Sequence, residues 1–301
     1  MRVTRSTYAD IGRTKADMVE RNGSLGVGGI WSGRQLVGRF FIESFGTDAQ
    51  RAQWLGRPAA VAISESGVGA HPKHLRTRAE AAEDGFRITG EKAWVSNADS
   101  AEVIIVFAIT AEEHGRKRYT AFLVPRDTAG LSLQEMPGFH ALRPSRHYAV
   151  KLDRCFVPSS ASLGPVGSAF EAMALPFRDV EDAVGTFGIL GAFRFIIGQL
   201  PTSDACAESR GAIAGLTAVF AAGAEKVVAA LDAEQLDLEA ATLIGLRMLA
   251  ADLAQRIRQH IVQFAVQDSR IEEALADIDM LLSIAKGARA VRQVRLGRQA
   301  G

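Results

Sequence analysis

The chain has 301 residues, enough for two or three domains that each bury a core. Its 35 Lys and Arg balance 34 Asp and Glu, a net charge of +1, which gives no electrostatic reason to expect nucleic acid or a charged membrane as partner. Cys155 and Cys206 lie far apart and form no metal or redox motif; they read as reduced thiols of a cytoplasmic protein, and no metal site is expected. Residues 1–8 carry two arginines with no apolar stretch behind them, so no signal peptide is expected. The most apolar run, residues 214–231, is broken by Glu225 and Lys226 and falls short of the about 20 residues a membrane helix needs, so no membrane insertion is expected.

Along the chain the texture changes twice. Up to about Pro58, Leu36, Val37, Phe40, Phe41 and Phe45 recur at helical spacing, which predicts an amphipathic helix over 30–44. Gly46-Thr47-Asp48 stops it, and Thr47 is a candidate N-cap for a short helix through Gln53 and Leu55. From Ala59 to about Pro158 the pattern is strand-like. Residues 59–64 form a short apolar run, Glu83-Asp84-Gly85 reads as a hairpin turn before Phe86 and Ile88, and 103–109 and 119–124 read as buried strands. Several short strands between turn signals imply an antiparallel barrel or sandwich. From about Ser168 helices return over 180–200, 212–231, 238–267 and 271–299, joined by short loops that favour antiparallel neighbours. The order helices, strands, helices is an α+β plan with segregated layers. The expected divisions are 1–58, 59–161 and 162–301.

Four blocks in this order carry a family resemblance. Phe45-Gly46-Thr47-Asp48-Ala49-Gln50-Arg51 resembles a G-T-x-x-Q-K block, and Ala62-Ile63-Ser64-Glu65-Ser66-Gly67-Val68-Gly69 resembles T-E-P-x-A-G-S-D. Residues 84–97, which contain Lys92-Ala93-Trp94-Val95-Ser96-Asn97, resemble D-G-x-x-l-x-G-x-K-x-W-I-T-N, and Ala141-Leu142-Arg143 through Val157-Pro158 resembles the block that leaves the β-domain. Together they resemble the acyl-CoA dehydrogenase family. The resemblance implies a short N-terminal helical region, a central β-domain and a C-terminal helical bundle, with FAD as cofactor. It also implies that Ile63, Ser64, Trp94, Val95 and Ser96 meet the flavin ring and that Gly69 and Ala70 lie by the substrate. Hydroxyl and backbone donors there would stabilise negative charge on the reduced ring, and Trp94 would wall it. The plainer reading makes Trp94 a core residue and the serines loop caps. Where the family has Ser-Asp, this chain has Ala70-His71, which weakens the case for thioester recognition at that pair; His71 reads as an ordinary loop histidine.

Family chemistry needs a carboxylate that removes an α-proton from an acyl thioester while hydride leaves the β-carbon for flavin N5. The usual C-terminal Y-E-G block is absent. Arg178-Asp179-Val180-Glu181-Asp182, with Leu190-Gly191 after it, resembles the isovaleryl type of the family and makes Glu181 the candidate base. The competing reading is a helix-start carboxylate favoured by the dipole, like Asp179 and Asp182 beside it. The family's R-x-x-F-G and Q-x-x-G-G blocks, which meet the FAD pyrophosphate, have no match at residues 200–206 and 263–267. Lys286, Arg289, Arg292, Arg295 and Arg298 recur at threes, either as dipole complements on a solvated helix or as contacts to CoA or FAD phosphates or an acidic subunit.

Two functions follow. One is an FAD-dependent α,β-dehydrogenase of an acyl-CoA or acyl-carrier thioester, forming a homodimer or homotetramer. The other is a non-catalytic homologue that serves assembly, as in a hetero-oligomer with a complete partner, and binds FAD weakly or not at all.

Overall fold

A computed structural model describes residues 6–299; residues 1–5, on which the expectation about a signal peptide mostly rests, and 300–301 lie outside the described residues. The first helices are α1 (Tyr8–Asn22), α2 (Leu25–Val37) and α3 (Asp48–Trp54). The strands follow: β1 (Ala59–Ala62), β2 (Arg78–Ala82), β3 (Gly85–Ser96), β4 (Val103–Glu113), β5 (Arg116–Pro125), β6 (Leu131–Glu135), β7 (His147–Pro158) and β8 (Ser162–Leu163). Five helices close the chain: α4 (Leu175–Gln199), α5 (Asp204–Asp232), α6 (Ala240–Gln263), α7 (Ser269–Ser283) and α8 (Lys286–Gln299). The α+β plan is therefore observed. The chain divides into two compact units. One holds residues 30–140 and 144–178; the other holds the residues up to 29, 141–143 and those from 179 onward.

In the sheet unit, the strands run in the order β6-β7-β3-β2-β4-β5-β8, with β1 beside β4. The sheet is mixed. β1 lies parallel to β4, and β2 touches β4 in parallel at Arg78 and Ile109, while the other pairings are antiparallel. Ile88, Val95, Ile104, Val106, Phe122, Val124, Val150 and Leu152 form its apolar core. The hairpin from β2 to β3 turns at Glu83-Asp84, as the sequence indicates. That from β4 to β5 turns at His114-Gly115, both left-handed, the conformation a two-residue hairpin loop favours.

The helix expected over 30–44 stops being α-helical at Val37 and widens into a π-helical turn at Gly38–Glu43. The wider turn points three consecutive residues, Phe40, Phe41 and Ile42, inward. The Phe41 and Phe177 rings pack with centroids 4.5 Å apart, tilted by 54°. Thr47 caps α3 in a reciprocal box with Gln50, and the Gln50 amide also donates to the carbonyls of Ser160 and Ser162 at 2.8 and 2.9 Å.

In the helical unit, Thr7 caps α1 in a second reciprocal box with Asp10, and the Asp232 carboxylate at the end of α5 accepts from the first N–H groups of α1. α1 ends on Gly23 at φ 71°, where any Cβ would also meet the Phe195 ring at 2.6 Å. By length and hydropathy α5 alone among the described helices matches a membrane span, yet it buries Ile213, Phe220, Val227 and Val228, and its Glu225 pairs with Arg13 of α1. The single helix expected over 271–299 is two, broken where Ile284 is extended and Ala285 left-handed. The segment 141–143 belongs to this unit. Asp277 accepts from the Leu142 N–H at 2.7 Å, Ser24 donates to the Arg143 carbonyl, and Gly26 leaves room for both carbonyls.

His260 is buried in this unit. Its Nδ1 shares a 2.9 Å hydrogen bond with Ser209, and its ring lies 4.7 Å from that of Phe264. Burial first, then the charge of Arg210, holds its pKa below the usual value of 6.5. Below that pH the unfolded chain takes up a proton that folded His260 resists, so stability present above about pH 6.5 is lost as pH falls. Thermal melts at pH values between about 8 and 5 should show a smaller acid loss for His260→Gln than for the unmodified chain.

Candidate active site

The loop between β1 and β2, residues 63–77, is built around one buried carboxylate. Glu65 accepts from Arg76 N–H at 2.7 Å, from Thr77 N–H at 3.0 Å, from the Thr77 hydroxyl at 2.7 Å and from the Lys92 ammonium at 3.0 Å. Lys92 stands inside β3 with no solvent exposure and also donates to the Ile63 carbonyl at 3.1 Å. Burial pushes the Lys92 ammonium down to about 8 against the pull of Glu65. Burial pushes the Glu65 carboxyl up, but Lys92 and Thr77 together outweigh it and hold it below the usual range. The outer part of the loop is held by the Tyr119 hydroxyl on the Pro72 carbonyl and by Lys117 on the carbonyls of Lys73 and Leu75. Gly69 is left-handed and closes a tight turn with Glu65 through two 3.0 Å backbone bonds; Ala70 follows, half-buried. His71 is exposed, with its ring 4.7 Å from that of His74.

The same loop lies against the end of β3. The Ser64 carbonyl accepts from Ala93 N–H at 2.8 Å, which brings Ile63 and Ser64 beside the segment that carries Trp94, Val95 and Ser96. The β3–β7 register slips between Lys92 and Val95, and Trp94 sits in the slip at φ 62°. Its side chain is 46% exposed, so it is not a core tryptophan. The Phe139 ring makes a T-shaped contact with it at 5.5 Å and another with His147 at 4.7 Å. Val95 is buried opposite Tyr148, and Ser96 is exposed opposite His147. Asn97, left-handed as well, ends the strand by accepting from Arg146 N–H and the Ser145 hydroxyl.

Glu181 belongs to the helical unit. α4 starts at Leu175, so Asp179, Glu181 and Asp182 lie beyond its first turn, and the helix-start account of them does not hold. Arg292 binds Asp179, while Arg289, Arg292 and Arg247 surround Asp182, whose side chain is 8% exposed. Burial first, then the charge of Arg289, pushes Arg247 down to about 10. Residues three apart drift about 60° around an α-helix. Arg289 and Arg292 therefore meet α4 while Arg295 and Arg298 are exposed, so the row is not simply a solvated dipole complement. Glu181 is exposed and lies in the field of Lys15 from α1. The Lys15 stem runs over Gly188, where a Cβ would meet its Cε at 2.8 Å, and burial pushes its ammonium down to about 8 against the opposing charge of Glu181.

Residues 60–155 match the acyl-CoA dehydrogenase middle domain. Those residues therefore form a middle domain of the acyl-CoA dehydrogenase type. The mitochondrial short-chain specific acyl-CoA dehydrogenase of Sus scrofa is 33% identical over 136 residues, 43% of this chain and 33% of that protein. The isovaleryl-CoA dehydrogenase of Arabidopsis thaliana is 28% identical over 155 residues, 49% of this chain and 38% of that one. The matched stretch thus spans about a third of these relatives' length. Likeness of fold reaches further. Butyryl-CoA dehydrogenase from Megasphaera elsdenii superimposes with a TM-score of 0.79 at 18% identity, over 94% of this chain and 80% of that one. The prolyl acyl carrier protein oxidase AnaB gives 0.80 at 17%, over 97% and 82%.

Within this acyl-CoA dehydrogenase fold, Ile63 and Ser64 come together with Trp94, Val95 and Ser96 in the sheet unit, and Gly69 shapes the same loop. The sequence reading passed over Glu65 and Lys92, although both stand inside its matched blocks. It also passed over Phe139 and His147, which no motif marks. Among the described residues, no group of three or more His, Cys, Asp or Glu side chains could hold a metal ion. Removing one member of a buried pair leaves an unpaired charge. Lys92→Met is expected to cost about 3–5 kcal/mol in chemical denaturation, and Lys92→Met with Glu65→Leu is expected to recover only part of that loss, because the Arg76 and Thr77 N–H groups then lose their acceptor.

Proposed function

We propose that this chain is an FAD-dependent dehydrogenase of the acyl-CoA dehydrogenase family that introduces an α,β double bond into an acyl thioester. The observation that carries the reading is the rigid Glu65–Lys92 loop beside a half-exposed Trp94, with the Ser64 and Ser96 hydroxyls donating to no group among the described residues. That arrangement fits a flavin ring: a half-exposed indole, unengaged donors, and Gly67 and Gly69 with nothing within 4 Å of where a Cβ would stand. Ile63, Ser64, Trp94, Val95 and Ser96 would hold the ring, with Gly69 and Ala70 near the acyl chain. Bound FAD supplies the hydride acceptor. Ser64 and Ser96 offer hydrogen bonds where negative charge develops, and Trp94 shields one face from water. Glu181 takes the α-proton on its carboxylate. The substrate is an acyl-CoA or an acyl-carrier thioester. The chain acts as a homodimer or homotetramer in the cytoplasm.

A second reading has one specific observation in its favour. Residues 200–206, where family members bind the FAD pyrophosphate, form a turn that holds one carboxylate, Asp204, and is closed by Cys206, whose Sγ donates to the carbonyls of Pro201 and Ser203. A diphosphate needs cations or a backbone nest, and this turn offers no cation. On that reading the chain is a non-catalytic homologue that assembles with a complete partner and binds FAD weakly.

Purified protein mixed with excess FAD and freed of the unbound fraction separates the two. A retained visible flavin band, bleached by a short acyl-CoA such as butyryl-CoA, supports the enzyme. Glu181→Gln is then expected to slow bleaching by about 10²–10⁴-fold. A protein that remains colourless supports the assembly role.

A further inference from the structure

Lys92 does more than neutralise Glu65. Its ammonium also binds the Ile63 carbonyl, and that bond fixes the direction of a peptide group. In a trans peptide the carbonyl and the following N–H point in opposite directions. The Ile63 carbonyl turns toward a side chain with no exposure, so the Ser64 N–H turns away from it. That N–H donates to no group among the described residues. The next carbonyl, that of Ser64, is fixed in turn by Ala93, the neighbour of Trp94. A main-chain donor is thereby left open on the residue whose carbonyl binds the neighbour of Trp94. A carbonyl bound to a cation is polarised, which strengthens the N–H of the same peptide as a donor.

We propose that Lys92 and Glu65 are positioning residues for the flavin ring: the ammonium turns the Ile63–Ser64 peptide so that the Ser64 N–H meets the polar edge of the ring, and Glu65 holds that ammonium in place. The inference rests on the proposed flavin site. Glu65 is suited to its part because its other acceptor bonds, from Arg76 and Thr77, anchor it to the far end of the same loop.

The test compares FAD with riboflavin, which has the ring but no diphosphate, by quenching of flavin fluorescence and by the position of the visible band. The variant is Lys92→Met with Glu65→Leu, which removes both charges together and leaves neither buried alone. It is expected to fold but to melt below the unmodified protein, because the Arg76 and Thr77 N–H groups and the Ile63 carbonyl lose their partners, to bind both flavins at least about tenfold more weakly, and to return the band toward that of free flavin. Unmodified affinity and band position in this variant overturn the proposal, as does a loss seen with FAD but not with riboflavin. If the double variant does not fold, Thr77→Val takes its place, since it keeps both charges and removes one donor to Glu65. It is expected to weaken riboflavin binding by about threefold, and unchanged binding overturns the proposal. An unmodified protein that binds neither flavin overturns the proposed site and this inference together, a result distinct from either variant outcome.

Discussion

A lysine with no solvent exposure keeps its charge only against a nearby anion, and here that anion stands 27 residues earlier in the chain. The pairing of Lys92 with Glu65 ties an irregular loop of the sheet unit to the middle of a core strand. Without it the loop would have to satisfy the N–H groups of Arg76 and Thr77 and the Ile63 carbonyl by other means. Buried pairs of this kind add little net stability beyond an apolar replacement. What this one supplies is definition, since every donor reaching Glu65 comes from a specific point of the loop or from β3. The candidate residues Ile63 and Ser64 flank that carboxylate on one side and the turn at Gly69 on the other.

A second device acts at the other wall. β3 departs from regular pairing between Lys92 and Val95, and both Trp94 and Asn97 take the left-handed conformation that residues with a Cβ usually avoid. The slip turns a large aromatic side chain out of the sheet core, and Asn97 stops the strand with bonds to Ser145 and Arg146. Together the carboxylate and the slip account for a fixed loop and an exposed ring at one end of a sheet.

Much of this was legible in the residues. Thr47 with Gln50 three positions on reads as a capping box, and it is one. The hairpin at Glu83-Asp84 and the buried β4 follow from composition alone. β7 was hidden because Arg154, left-handed, interrupts the alternation of Val150 and Leu152 with Cys155 and Val157. The break at Ala285 carries no proline and no glycine at the turning residue, so periodicity ran through it. Lys92, between Glu91 and Ala93, looks like a surface residue; only the approach of a distant loop makes it an interior one. Trp94 had two readings for a similar reason, since no local pattern announces a strand that slips. The arginines of α8 were ambiguous because spacing by three does not say which of them meets another helix.

The protein has three tryptophans. Trp54 is 9% exposed and Trp31 half-buried, whereas Trp94 stands 46% exposed next to the Ser64 backbone. The chain therefore carries its own optical reporter at the proposed flavin site. Light absorbed by that indole would report on whatever stacks against it, while the less exposed tryptophans supply an internal reference for the state of the rest of the fold.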